Sequence, residues 1–142
     1  MSTNSEKLEC LSIIVCDDIY RDEQSKKLVI VGTFNAIQVT DFPYCHPKMS
    51  ILLTLTNGHG QNDVSLTVEH GETGQPLAEL SGPMNFDSPL DMVDINVKLQ
   101  QLVFPEPGKY WVTLHQAGEI IKQRPIMVDR IEQKEETNAD LS

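Results

Sequence analysis

Asp41, Cys45 and His46 stand together in the stretch DFPYCHP, the residue types that a thiol nucleophile and its base would use. The stretch holds two prolines and reads as an extended loop over residues 41–47. Adjacent residues of an extended segment point to opposite sides, so Cys45 and His46 cannot form the thiol–imidazole bond with each other. Zinc is no better served. Cys10, Cys16, Cys45 and the four histidines lack the paired short spacings of a tetrahedral site. Acids offer a further chemistry. Asp17-Asp18, and Asp87 and Asp91 of DSPLD, could fill a calcium site if the fold gathered them at one end, because calcium takes 6–8 oxygens. No spacing here matches a calcium loop, and turn capping is the plainer role for Asp18 and Asp22. GHGQND has no lysine and runs into a strand, so it is no phosphate loop. G-x-S-x-G is absent. No catalytic residue and no cofactor are expected, and the protein is expected not to be an enzyme.

The element that must position any site at the other end of the chain is PEPGKYWVTLHQ. Pro105 and Pro107 stiffen the approach, and Gly108 supplies the backbone angle of a sharp corner. Tyr110, at the start of a strand, takes the place where a tyrosine closes the corner between sheets in immunoglobulin-like domains. If Tyr110, Val112 and Leu114 point inward, then Trp111, Thr113 and His115 point outward. That places the only tryptophan of the chain on an outer sheet face, where such rings anchor interfaces. Trp111, Thr113 and His115 are therefore the expected interaction residues. The competing explanation is that a loop, the tail or a bulge covers Trp111.

The rest of the chain supplies strands. DVSLTVEH and MVDINVKLQ alternate apolar and polar residues, the period of half-buried strands. LSIIVCDDIY and LVIVGTFNAIQV (residues 28–39) are β-branched runs separated by DEQSKK. Asn57-Gly58 and Ala117-Gly118 carry hairpin signals. About eight strands with regular turn signals predict an all-β fold, an antiparallel β-sandwich of immunoglobulin-like architecture. A closed barrel would show nearly the same alternation. The expected organisation is a flexible N-terminus over 1–10, a single domain over 11–128, and a disordered acidic tail over 129–142. That tail carries five acids and two bases.

Composition limits the partners. A chain of 142 residues can bury a core without disulfides. With 11 Lys and Arg against 21 Asp and Glu, a net charge of -10 disfavours nucleic acid and anionic membrane. The start is polar and no stretch has the length of a membrane span, so a cytoplasmic protein with reduced thiols is expected.

The stretches SIIVCDDIYRDEQSKKLVIVGTFNAI, FPYCHPKMS and LVFPEPGKYWVTL, with a later RP, resemble a family of small uncharacterised bacterial proteins, a domain of unknown function. The likeness spans residues 11–128. Its motifs are a Cys-Asp opening strand, a Gly-x-Phe strand, a Phe-Pro…His-Pro loop and a Pro-Gly-x-Tyr corner. The resemblance implies a bacterial cytosolic origin and no reaction. The matching residues Cys16, Asp17, Gly32, Phe34, Pro43, Pro47, Gly108, Tyr110 and Pro125 read as fold determinants. The function expected is a non-catalytic protein-binding or self-assembly module, whose partner is a protein or a second copy. The alternative is a ligand-binding sandwich using loop carboxylates, with calcium as the candidate.

Overall fold

The computed structural model describes residues 7–131. Nine strands follow in order: β1 (Glu9–Arg21), β2 (Leu28–Thr33), β3 (Ala36–Val39), β4 (Tyr44–Thr56), β5 (Gly60–His70), β6 (Pro76–Phe86), β7 (Met92–Phe104), β8 (Gly108–Gln116) and β9 (Glu119–Arg130). They form a four-stranded sheet, β2-β1-β4-β7, and a five-stranded sheet, β3-β9-β8-β5-β6. No helix among the described residues is long and apolar enough to cross a membrane. The expected flexible N-terminus and acidic tail fall outside the described residues for 1–6 and 132–142. Within them, β1 begins at Glu9 and β9 runs to Arg130.

Alternation builds the core. Met49, Ile51, Leu53 and Leu55 of β4 face Leu66 and Val68 of β5 and Tyr110, Val112 and Leu114 of β8 in one buried cluster. Ala117-Gly118 makes the hairpin expected of it, but Asn57-Gly58 does not: β4 and β5 belong to different sheets, so that turn carries the chain from one sheet to the other. Asn57 takes φ 65°, and Ala117 and Gly118 take φ 51° and 81°, the paired positive angles that suit a two-residue hairpin.

Four further features differ from what the sequence leads one to expect. There are nine strands rather than about eight, because the run 28–39 is not one strand. It breaks after Thr33, and Ala36–Val39 crosses to the other sheet. There β3 lies parallel to β9, with Ala36 opposite Met127, so the sheets are not wholly antiparallel. The segment 41–47 is a loop only at its start. β4 begins at Tyr44 and carries Pro47, which makes no pair with β7 and lies opposite Gln101 at φ 56°. Lastly, the five-stranded sheet curls into a half-barrel instead of lying as a plain sandwich layer.

A second, smaller cluster forms on the far side of the four-stranded sheet. Cys16, Ile19 and Leu52 are buried there, with Ile14, Leu28 and Ile30 against them. Leu52 belongs to the face of β4 opposite the main core, so the β1–β2 hairpin arches over that outer face. Gly32 sits in the arch at φ 67°, and a β-carbon there would collide with the Asp17 carboxylate. Only glycine meets both demands.

Candidate functional site

The corner before β8 is built as its residue types require. Gly108 adopts φ 147°, a conformation that L side chains rarely take. Tyr110 is fully buried and donates its hydroxyl hydrogen to the Glu106 carbonyl at 2.6 Å. Burial pushes the phenol above its ordinary pKa. Its ring stands edge-on to both Phe104 and His70, each at 4.9 Å between centroids. Tyr110 is thus a scaffold residue, as expected.

His70, which ends β5, is buried beside this corner. Its Nδ1 accepts the backbone amides of Glu72 at 3.1 Å and Thr73 at 3.2 Å. That nitrogen must be bare, so the ring hydrogen sits on Nε2, 3.1 Å from Glu106 Oε2. A general base needs a nitrogen free to take a proton. Nδ1 of His70 is occupied, while Nε2 is buried and makes no hydrogen bond despite its nearness to Glu106; the ring latches the β5–β6 turn to the corner. An open cleft of about 430 Å³ lies outside the latch, bordered by Glu72, Glu106, Lys109 and Trp111.

Trp111 projects from the outer face of the five-stranded sheet. It is half-buried between Glu69 of β5 and Pro125 of β9. Lys109 Nζ lies 5.3 Å from its ring centre, and the turn at Gly71 runs close to its indole nitrogen. Partial cover by a turn is therefore real, but the ring still reaches solvent. The other two expected residues divide. His115 is half-exposed further along β8, while Thr113 is wholly buried in the middle of the sheet. Its Oγ1 accepts a hydrogen bond from the Gln123 amide at 3.1 Å, and Thr67 stands opposite on β5. Thr113 offers a partner nothing. Pro125 and Met127 do: both are exposed on β9, opposite Trp111 and Lys109. The register counted from the Ala117-Gly118 hairpin would have set Arg124 opposite Trp111; a bulge between Leu114 and His115 shifts it by one and brings Pro125 there. Pro125 lies just before β3 joins β9 at Met127, on a free edge where its missing N–H costs nothing.

The acids do not assemble. Asp17 and Asp18 lie near the far end of β1, beyond Cys16 opposite Ser50. Asp91 lies by Thr56, whose hydroxyl donates to the Asp91 carbonyl at 2.9 Å, and Thr56 pairs with Glu9 at the near end. Eight residues of extended strand separate Glu9 from Asp17, roughly 27 Å at 3.3–3.4 Å per residue. Asp18 is matched by Lys48 at 3.2 Å and Lys98 at 3.3 Å. The Ile19 amide first, then these lysines, hold its carboxyl below the usual range. Asp91 closes its own turn by accepting the Ser88 amide at 3.2 Å, and Asp87 is exposed beside it. Among the described residues no group of three or more His, Cys, Asp or Glu could hold a metal ion.

Asp17 of β1, Gly32 of β2, Phe34 just beyond it and His46 of β4 do converge on a shallow cleft of about 260 Å³. His46 Nδ1 is 2.9 Å from the Tyr44 hydroxyl, and burial lowers its pKa while Asp17 opposes the shift. Cys45 is exposed and its thiol donates to Gln101 Oε1 at 3.3 Å, so it and His46 go separate ways.

A family of unknown function (DUF6941) matches residues 11–129, and the chain belongs to that family. No curated protein matches the chain.

Proposed function

We propose that this family member is a non-catalytic binding or assembly module, of immunoglobulin-like architecture, working in a bacterial cytosol. The observation that carries the reading is Trp111, half-exposed on the outer sheet face with exposed Pro125 and Met127 beside it. A large aromatic ring flanked by apolar side chains, with Lys109 at the rim, has the make-up of an interface centre. The contact surface then consists of Trp111, Pro125, Met127 and Lys109, with His115 at its margin and Thr113 beneath. What supports the architecture is the Tyr110 corner and the division of strands between two sheets. The bacterial cytosolic setting rests on the resemblance and on three free thiols. Against catalysis stands the divergence of Cys45 from His46.

Because Trp111 is the only tryptophan, its fluorescence reports on this surface alone. Acrylamide is expected to quench it in the monomer. Light scattering of the wild type and a Trp111→Asp variant, each alone and with any captured partner, then reads the assembly. A ring shielded from quencher in the monomer sinks the reading. So does a complex with a foreign partner that Trp111→Asp leaves intact.

A further inference from the structure

Four strands end the two sheets: β2 and β7 in one, β3 and β6 in the other. A free strand edge is a template for pairing, and proteins blunt it by shortness, proline, a bulge or charged side chains, lysine above all. β2 has 6 residues and β3 has 4. β6 carries Gly82 and Pro83. β7 has 13 residues without proline, and its charged residues are Asp94 and Lys98 alone. Its inward side chains Val93, Ile95 and Val97 are only half-buried. Ile95 and Val97 line an apolar cleft of about 160 Å³ that opens between β7 and β6, where Leu80 is 42% exposed.

We propose that β7 pairs antiparallel with β7 of a second copy about a two-fold axis at Asn96. The sequence VDINVKL is self-complementary about that residue. Asp94 falls opposite Lys98 of the second copy, and Lys98 opposite its Asp94. Ile95 falls opposite Val97, and Val93 opposite Leu99. Apolar side chains then continue the inner face across the junction, while opposite charges meet on the outer face. Neighbouring registers lose this match. An axis at Ile95 sets Asp94 against Asn96, an axis at Val97 sets Asp94 against Gln100, and an axis at Lys98 opposes two lysines. Within one chain, Asp94 accepts the Thr54 hydroxyl at 2.7 Å and Lys98 reaches Asp18 at 3.3 Å. Neither group is used up, since a carboxylate has a second oxygen and an ammonium three hydrogens. Pairing over Met92–Gln100 stops before the irregularity at Gln101 and joins two four-stranded sheets into one of eight. A two-fold contact of this kind closes on itself and does not propagate. The inference deepens the assembly reading, resting on it only for the partner being a second copy, and uses a different surface from Trp111.

The test is the solution mass of the full chain by light scattering, with circular dichroism to confirm the fold. The wild type is expected to be dimeric. Asp94→Lys and Lys98→Asp each set like charges opposite one another twice, and each is expected to weaken pairing roughly tenfold or more. Mixing the two variants restores both opposite-charge pairs, so the mixture regains the dimer that neither forms alone. A wild type that is monomeric at every concentration overturns the pairing but leaves Trp111 open to a foreign partner. A dimer lost in Trp111→Asp and kept in Asp94→Lys also overturns it and upholds the Trp111 face. A mixture that stays monomeric while the wild type dimerises overturns the register.

Discussion

Tyr110 shows how one hydroxyl organises its surroundings. It is buried, it holds the Glu106 carbonyl at 2.6 Å, and its ring separates Phe104 from His70. Tyr110→Phe keeps the ring contacts and removes the hydroxyl from the corner. The expected loss is roughly 1–2 kcal/mol, read as a lower urea midpoint with an unchanged slope. A variant as stable as the wild type would show that water replaces the hydroxyl at no cost. Tyr110 was legible in the sequence because the proline–glycine–tyrosine spacing is local. The His70 latch was not, since its contact with Glu106 joins residues 36 positions apart and no periodicity records it.

At the scale of the element, alternation found most strands and failed where a strand changes sheet. Residues 28–39 look continuous because both halves are apolar and β-branched. The break at Phe34 and Asn35 is set by what each half pairs with, β1 on one side and β9 on the other. The β8–β9 hairpin offers a clean test of local turn chemistry. Ala117 takes φ 51° at a position where L residues other than Asn and Asp are strained. Ala117→Asn creates the Asn-Gly pair this turn favours, and a gain of roughly 0.5–1 kcal/mol is expected in thermal unfolding. A lower melting temperature would mean that the Ala117 methyl has a packing role that its exposure hides.

For the whole molecule, the question is whether two apolar clusters open as one. Cys10 lies in the main core and Cys16 in the smaller cluster beneath the β1–β2 arch. Burial raises the pKa of both thiols, which keeps them protonated and slow to react. Cys45 is exposed. In native buffer Cys45 is expected to react with a thiol reagent at once. Cys10 and Cys16 should then follow together, at the rate of global opening. A faster phase at Cys16, located by mass spectrometry, would show the arch opening by itself while the main core stays closed.

The sequence by itself determined that this chain is all-β, that Ala117-Gly118 turns a hairpin, that Tyr110 closes a corner and that Trp111 faces outward. These depend on side-chain alternation and turn chemistry, which act over a few residues. Only the tertiary structure decided which strands share a sheet, that Thr113 is buried on a nominally outward face, and that the two pairs of acids lie at opposite ends of β1. It also decided which strand edge stays open. Sheet order and cover depend on pairings between distant segments, where one strand is apolar enough to sit beside several others. For that reason the self-complementary run in β7 could be read from the residues, but its exposure at an edge could not.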